Sequence, residues 1–206
     1  MPSAEIKLYF DYKSPFAYLA KDPAFELERE FDVALRWIPY FLKLKGPGER
    51  SQASDWKAKY SYLDARRWAN ARSAPLTIRG PLKIYASEPA LLGGLYAQEH
   101  GFFRPYTDLV YERFFKRELE IDRPDEIAQA IDSIPARAGA SGADYLDYAG
   151  SARGRAAYDA CVAEAAADHV FGVPLFFVQG EPFWGHDRMP LLRDRLAAAG
   201  LEKSSR

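Results

Sequence analysis

The sequence is poor in the residues that build disulfides and metal sites. It contains one cysteine, Cys161, and three histidines, His100, His169 and His186. One cysteine cannot form an internal disulfide, and neither paired-histidine nor Cys-x-x-Cys spacing occurs, so we expect no disulfide framework and no structural metal. Cys161 lies on the apolar stripe of a predicted helix, where a small buried side chain is expected rather than a reactive thiol. His100 and His169 are expected at helix ends.

Charge excess and long apolar runs are also missing. The 28 Lys and Arg residues are balanced by 29 Asp and Glu residues, which argues against nucleic acid as a partner. No stretch approaches the ~20 apolar residues of a membrane span, and the first eleven residues hold no apolar run of signal-peptide length. We therefore expect a soluble, cytoplasmic protein with no membrane partner. The glycine patterns of nucleotide sites and the serine-hydrolase elbow are missing too, which disfavours both enzyme classes.

What the chain has in quantity is apolar and aromatic surface. Of its 206 residues, 48% are hydrophobic and 15% are aromatic, which predicts a compact globular protein. Residues 5–11 alternate apolar and polar side chains as a strand does, and Ser14 followed by Pro15 has the form of a helix N-cap and first turn. Asp22-Pro23 repeats that signature, so we expect a break there and a second helical piece. Alternation at 33–37 predicts a second strand, parallel to the first.

The middle of the chain, about 43–167, contains helical patterns separated by loops. This segment is too long for an ordinary connection, so it is predicted to be a helical subdomain inserted into the α/β unit. The predicted apolar stripes fall at Trp56/Tyr60/Leu63, Leu91/Leu92/Leu95, Leu109/Val110/Phe114, Ile127/Ala130/Ile131 and Tyr158/Cys161/Val162/Ala165/His169. We interpret Trp37, Trp56, Trp68 and Trp184 as core residues.

The end of the chain returns to strands. Residues 175–178 and 183–184 flank Gln179-Gly180 and predict a β-hairpin, followed by a closing helix with Pro190 in its first turn. The inner side of that helix is predicted to carry Leu191, Leu192 and Leu196. The predicted fold class is therefore α/β, a thioredoxin-like fold with a large inserted all-helical subdomain. The thioredoxin-like domain comprises 1–42 and 168–206, and the insertion comprises 43–167.

Ser14 is the first candidate for chemistry. It follows a strand and opens a helix, where unpaired N–H groups and the helix dipole favour an anion. The alternative is that Ser14 is only an N-cap, the commoner role of serine in this context. A serine can serve both as a cap and as a catalytic group.

Three other positions carry weaker signals. Val173-Pro174 precedes an apolar strand and can expose the Val173 backbone to an extended ligand if the bond is cis, although trans is the commoner form. Asp187 can hold a ligand ammonium or simply cap the last helix. Lys57 and Tyr60, three residues apart on one helix, can face a ligand together, although a solvated lysine is the ordinary case.

Several motifs together resemble a known family. Residues 10–19 (FDYKSPFAYL), 171–174 (FGVP) and 183–188 (FWGHDR), with 57–60 (KAKY) and 64–69 (DARRWA), resemble the 2-hydroxychromene-2-carboxylate isomerases. These are relatives of kappa-class glutathione transferases and DsbA-type oxidoreductases. Residues 42–50 depart from that family, because its asparagine-bearing loop is missing. His186 also departs from it, since relatives often have a smaller or amide residue there.

The resemblance implies glutathione as cofactor, an aromatic small-molecule substrate and, because relatives are often dimers, a homodimer. It implies that Ser14, in the place of the first cysteine of the oxidoreductases, contacts the glutathione sulfur. Val173, before a cis Pro174, would pair with the glutathione backbone. His186 and Asp187 would hold the γ-glutamyl end, and Lys57 would lie near the glycyl carboxylate.

The expected function is glutathione-dependent cis–trans isomerisation of an aromatic conjugated carbonyl or carboxylate. A hydrogen bond to an ionised group contributes about 1.5–3 kcal/mol, and a helix N-terminus adds roughly 0.3–1 kcal/mol. Together they can lower the pKa of a thiol from ~8.5 to around 7 or below. A kappa-like transferase or peroxidase, and a non-catalytic thioredoxin-fold binding protein, remain as alternatives. A disulfide oxidoreductase is disfavoured because Ser14 replaces the reactive cysteine.

Overall fold

A four-stranded mixed sheet organises the molecule. The computed structural model describes residues 3–43, 52–135, 137 and 139–203, with Ser54 described by its backbone only. Its strands are β1 (Ala4–Phe10), β2 (Val33–Pro39), β3 (Leu175–Val178) and β4 (Glu181–Trp184). They lie in the order β2-β1-β3-β4, with β1 and β2 parallel and the other pairs antiparallel. This is the predicted thioredoxin-like arrangement, and it confirms the predicted fold class.

Helices supply the rest of the regular structure. They are α1 (Pro15–Glu30), α2 (Gln52–Asn70), α3 (Glu88–Glu99), α4 (Phe103–Lys116), α5 (Pro124–Asp132), α6 (Gly142–Gly150), α7 (Ala152–Ala167) and α8 (Met189–Ala198), with a short 3₁₀ helix at His186–Arg188. Only α6 was not predicted as a separate helix. Between β2 and β3, the described residues form helices and loops without a strand. The domain boundaries at 42/43 and 167/168 stay a prediction.

Each face of the sheet carries its own apolar core. Leu8 of β1 faces the main core, which includes Leu27 of α1 and Leu192 of α8. Tyr9 points to the opposite face, where a smaller core includes Leu175 of β3 and Ala165 of α7. The alternation of side chains along β1 therefore assigns α1 and α8 to one face and α7 to the other. The helices cover the two faces of the sheet and not the ends of its strands, so the carboxyl end of β1 can lie next to the amino end of α1.

The predicted break at Asp22-Pro23 is wrong, because α1 continues through Pro23. A proline at this position has no N–H for the carbonyl oxygen of Leu19, four residues earlier. That oxygen instead accepts a hydrogen bond of 3.2 Å from Arg72, whose other terminal nitrogen lies 2.8 Å from the Asp22 carboxylate. The donor comes from the segment that follows α2, so the local sequence gives no sign of it.

The hairpin between β3 and β4 forms as predicted. Gln179 and Gly180 form its turn with φ angles of +52° and +83°. Two successive positive φ values are characteristic of the type I′ turn, whose twist matches that of the paired strands. The turn pairs Leu175 with Trp184 and so places Trp184 on the face of the sheet that also carries Leu175.

Several side chains predicted to be buried lie at the surface. Trp37 is in the core, but the interpretation of Trp56, Trp68 and Trp184 as core residues is wrong, since they are 62%, 48% and 52% exposed. Leu191 is also exposed, whereas Leu192 and Leu196 are buried as predicted. The apolar stripe of α2 points outward, and the fully buried residues of that helix are Ala65 and Ala69. The helix therefore packs against the core through these two alanines and the partly buried Tyr62, and its neighbour is α1.

None of the described helices combines sufficient length with sufficient apolar character to cross a bilayer.

Candidate active site

Ser14 occupies the junction of β1 and α1. It is the N-cap of α1, with an extended backbone and a side chain that accepts a hydrogen bond of 3.2 Å from the Ala17 N–H. Its hydroxyl also lies 3.2 Å from the carbonyl oxygen of Val173, to which it donates. The residue is only 3% exposed. The N-cap interpretation is therefore confirmed, and the hydroxyl also points to the second candidate position.

The Val173-Pro174 peptide bond is cis. The Pro174 carbonyl oxygen accepts a hydrogen bond of 2.9 Å from the Gly185 N–H, which ties this turn to the segment after β4. Within the residues that the structure describes, the Val173 N–H has no hydrogen-bond acceptor. A buried backbone donor is ordinarily paired, so this N–H is available to an acceptor outside the described residues.

A buried ion pair lies directly before Ser14, and the sequence analysis did not single it out. The Asp11 carboxylate is fully buried, accepts hydrogen bonds from the Lys13 and Leu42 N–H groups at 3.1 and 2.8 Å, and lies 3.5 Å from the Lys13 ammonium. The ammonium also contacts the Tyr85 carbonyl oxygen at 3.3 Å and the Phe41 ring at 3.8 Å.

Burial dominates the titration of this pair. It raises the pKa of Asp11 above its usual value, while Lys13 and the backbone donors oppose that rise. It lowers the pKa of Lys13, with Asp11 opposing. The pair therefore ties the Ser14 turn to the segments around Leu42 and Tyr85 at the expense of two desolvated charges.

His186 connects the amino end of α1 with α2. Its imidazole stacks on Phe16 with centroids 5.3 Å apart, and it meets Trp68 edge to face at 4.8 Å. The Nε2 atom is buried without a hydrogen-bond partner in the described part of the chain. Burial lowers the pKa of His186; Asp187 and Asp64 oppose this and Arg72 adds to it, so the imidazole is neutral at pH 7.

Asp187 and Lys57 remain at the surface. The Asp187 carboxylate makes no cap hydrogen bond to either helix that begins here, so the interpretation of this residue as a simple N-cap is wrong. It pairs instead with the Arg188 guanidinium at 2.6 Å. Lys57 is exposed on α2, eleven residues before Trp68, which is about three turns along nearly the same helix face. The structure thus gathers Ser14, Val173 and Pro174 in one place, with His186 beside the first turn of α1 and Lys57 farther along α2.

The other residues singled out in the sequence lie away from this place. His100 and His169 stand at the ends of α3 and α7, as predicted. Cys161 is half-buried rather than fully buried, and burial raises the pKa of its thiol to about 11. A thiol with that pKa is protonated at pH 7, in agreement with the prediction that Cys161 is not a reactive thiol.

Two surface cavities lie elsewhere on the described part of the chain. One, of about 430 Å³, lies between Glu30 and Arg193, and another, of about 310 Å³, lies between Pro89 and Leu146. Neither is lined by Ser14 or His186. The sequence did not predict that Phe16 and Trp68 contact His186. The one available signal was that both residues fall within the motifs that carry the family resemblance.

Comparisons with known proteins agree with the resemblance. A protein from Pseudomonas putida named 2-hydroxychromene-2-carboxylate isomerase is 26% identical over 204 residues, covering 93% of each chain. The structure of a selenomethionine-labelled 2-hydroxychromene-2-carboxylate isomerase superposes with a TM-score of 0.75 at 22% identity, covering 95% of this chain and 96% of that one. A probable DsbA oxidoreductase from Streptomyces coelicolor superposes with a TM-score of 0.76 at 16% identity, covering 98% and 92%.

A protein-family model matches most of the chain. Residues 5–197 match the model of a DsbA-like thioredoxin domain, a span that contains β2, β3, β4, all but the first residue of β1, and every candidate site residue. The resemblance inferred from the motifs is thereby confirmed. The chain belongs to the DsbA-like thioredoxin domain family.

Proposed function

We propose that this protein is a glutathione-dependent cis–trans isomerase of the 2-hydroxychromene-2-carboxylate isomerase type, acting on an aromatic conjugated carbonyl or carboxylate. The observation that carries the proposal is the position of the Ser14 hydroxyl, at the amino end of α1 and 3.2 Å from the Val173 carbonyl oxygen. Two relatives named 2-hydroxychromene-2-carboxylate isomerase, 26% and 27% identical to this chain, support the reaction class.

The residues around Ser14 fit an extended peptide-like cofactor. Val173 offers a backbone N–H without an acceptor among the described residues, in the position where an added strand would pair. Asp187, at the surface, would attract the α-ammonium of the γ-glutamyl group, and the neutral His186 beside it would donate a hydrogen bond to the carboxylate. Lys57, farther along α2, would attract the glycyl carboxylate.

Ser14 would act by exchanging one acceptor for another. Its hydroxyl now donates to the Val173 carbonyl oxygen, and a rotation about the C–O bond would direct the same hydrogen to a sulfur at the amino end of α1. The hydrogen bond given up contributes about 0.5–1.5 kcal/mol, whereas one to an anion contributes about 1.5–3 kcal/mol. The exchange is therefore favourable only for an ionised sulfur. Ser14 would select the thiolate over the thiol.

Glutathione, when bound, supplies a thiolate that adds reversibly to the conjugated carbonyl compound, makes the former double bond rotatable, and leaves after the rotation. The chain's own part is to hold that sulfur as an anion. Ser14 contributes its hydrogen bond and α1 the positive end of its dipole, while the Ala17 N–H remains bound to the Ser14 oxygen and fixes its position.

Glutathione stoichiometry separates the proposed function from its enzymatic alternative. With 1 equivalent of glutathione per enzyme and excess chromene carboxylate, we expect many turnovers and full recovery of free glutathione. A kappa-like transferase would instead consume one glutathione per product, and a peroxidase would yield oxidised glutathione. Either result would contradict the isomerase assignment.

Calorimetry separates enzyme from binding module. We expect glutathione to bind the wild-type chain, with weaker binding after Ser14→Ala. No binding of glutathione at millimolar concentration would contradict the proposal and favour a non-catalytic thioredoxin-fold binding protein.

A further inference from the structure

We propose that the exposed face of Trp68 is the surface on which the planar ring of the substrate stacks, which makes Trp68 a specificity-determining residue. The inference rests on the proposed function, because it names the place where the aromatic part of that substrate binds. It goes beyond it by assigning selectivity for conjugated aromatic compounds to one side chain of α2.

The packing of α2 fixes where this indole lies. Ala65 and Ala69, in the carboxyl-terminal half of α2, have no exposed surface, and α2 contacts α1. Trp68 stands beside Ala69 on the flank of that contact, and about half of its surface remains accessible. The close approach of the two helices therefore places a large aromatic side chain next to α1 without burying it.

A row of three rings leads from Ser14 to Trp68. Phe16, in the first turn of α1, stacks on His186 with an interplanar angle of 14°, and His186 meets Trp68 at 84°. His186 is held between two rings, so the contact that orients Trp68 is itself fixed and the aromatic surface is preorganised. The row begins two residues from the hydroxyl proposed to hold the sulfur. In the proposed function, a substrate bonded to that sulfur would extend along this row toward Trp68.

The charged groups around His186 are mostly paired with opposite charges. The groups that act on His186 are Asp64 of α2, Asp187 of the 3₁₀ helix and Arg72 after α2. Asp187 is paired with Arg188, and Arg72 with Asp22, so neither is an isolated charge. The neutral imidazole leaves the Trp68 face as an uncharged π-surface, which suits an electron-poor conjugated ring.

The other exposed tryptophans are placed differently. Trp56 lies twelve residues earlier on α2, about 120° around the helix axis, on the outward stripe. Trp184 packs edge to face on Phe171 at 4.9 Å, at the end of the hairpin. Trp56 is therefore a matched control for Trp68: the same residue type, on the same helix, with similar exposure.

The test compares two substrates of the glutathione reaction, an aromatic and an aliphatic conjugated carbonyl compound. For Trp68→Leu we expect KM for the aromatic substrate to rise about tenfold, from the loss of one stacking interaction, with kcat changed less than about twofold. KM for the aliphatic substrate should change less than about twofold. Trp68→Phe keeps a ring and should restore most of the aromatic preference, and Trp56→Leu should leave both KM values unchanged.

Equal losses on both substrates, or no loss on either, would overturn the inference. A Ser14→Ala enzyme that retains full activity would instead refute the proposed function itself, so the two failures are distinguishable. Should Trp68→Leu not fold, the indole N–H signals of ¹⁵N-labelled protein decide the matter, after assignment with Trp→Phe variants. In the presence of glutathione, salicylate should shift the Trp68 signal more than the Trp56 signal; an equal or smaller shift at Trp68 would overturn the inference.

Discussion

The two helices that border the site are held in opposite ways. The amino-terminal half of α1 is almost entirely buried, and the turn that precedes it is tied by the Asp11–Lys13 pair. Helix α2 buries two alanines and presents Trp56, Tyr60 and Leu63 to solvent. The difference separates two requirements of a catalytic site. The group that must hold a reacting atom lies on the rigid side, and the groups that recognise the ligand's periphery lie on the accessible side.

The largest effect should come from removing a charge on the buried side. Lys13→Met leaves the Asp11 carboxylate buried without its ammonium, and we expect the free energy of unfolding to fall by about 3–5 kcal/mol. Urea denaturation measures this. Lys59→Met on the open helix is the control, and its effect should stay within about 0.5 kcal/mol. Similar values for the two variants would remove the distinction between the helices.

The same variant should depend on pH in a defined direction. The folded-state pKa of Asp11 is raised above the unfolded value of about 3.9, so its contribution to stability is lost as the pH rises above that value toward the folded-state pKa. Removal of Lys13 raises the folded-state pKa further. We therefore expect Lys13→Met to be more destabilising at pH 8 than at pH 5. The reverse order would contradict the interpretation of Asp11 and Lys13 as a carboxylate paired with an ammonium.

The next effect concerns activity rather than stability. Ser14→Ala removes a hydrogen bond to an anion, and we expect kcat/KM to fall about 10- to 150-fold, the equivalent of about 1.5–3 kcal/mol. Ser151 is a matched control, because it caps α7 in the same way, accepting from the Gly154 N–H at 3.1 Å. Both alanine variants should lose about 1 kcal/mol of stability. Only Ser14→Ala should lose activity, and parallel losses of activity would reduce Ser14 to a cap.

A third comparison tests the contact between the two helices. Ala69→Leu forces a larger side chain into a fully buried position, and we expect about 1–3 kcal/mol of destabilisation in a denaturation experiment. Leu63→Ala, on the outward stripe of the same helix, should change stability by less than about 0.5 kcal/mol. A larger loss of stability from Leu63→Ala than from Ala69→Leu would contradict an orientation of α2 with Ala69 buried and Leu63 exposed.

The smallest effect should come from the exposed lysine. Lys57→Met should raise the Kd for glutathione about two- to fivefold, because an exposed ion pair contributes at most about 1 kcal/mol. Calorimetry at low and at high salt measures it, and the difference from wild type should shrink as salt increases. Lys59→Met, whose ammonium lies 4.9 Å from the Trp56 ring centroid, should bind glutathione as wild type does. A larger rise in Kd for Lys59→Met than for Lys57→Met would mean that the glycyl carboxylate binds at the outward stripe of α2 instead.

Local patterns predicted most of the fold. Strand alternation, the Ser14 cap and the Gln179-Gly180 turn depend on neighbours within a few residues, and all three took the predicted form. Periodicity failed on α2, because the stripe of Trp56, Tyr60 and Leu63 has the spacing of a core face but points to solvent. Spacing shows that side chains share a face. It does not show which face is covered.

The site was predictable only in part. The juxtaposition of Ser14 and Val173 came from a resemblance between distant motifs, and the structure brings the two residues together. The aromatic contacts of His186 with Phe16 and Trp68 join three separate segments, so no local rule predicts them. Residues 44–51 of the atypical segment after β2 lie outside the described residues, and the sequence-based expectation for them stands untested.

Pro23 has a consequence beyond the course of α1. Its ring leaves the Leu19 carbonyl oxygen without a backbone donor, and the guanidinium of Arg72, just after α2, donates to that oxygen instead. The irregular position in α1 is thus the place where the segment after α2 is hydrogen-bonded to α1. A helix without this proline would use the same carbonyl oxygen for its own backbone, so one imino acid gives α1 a hydrogen bond to the segment that follows α2.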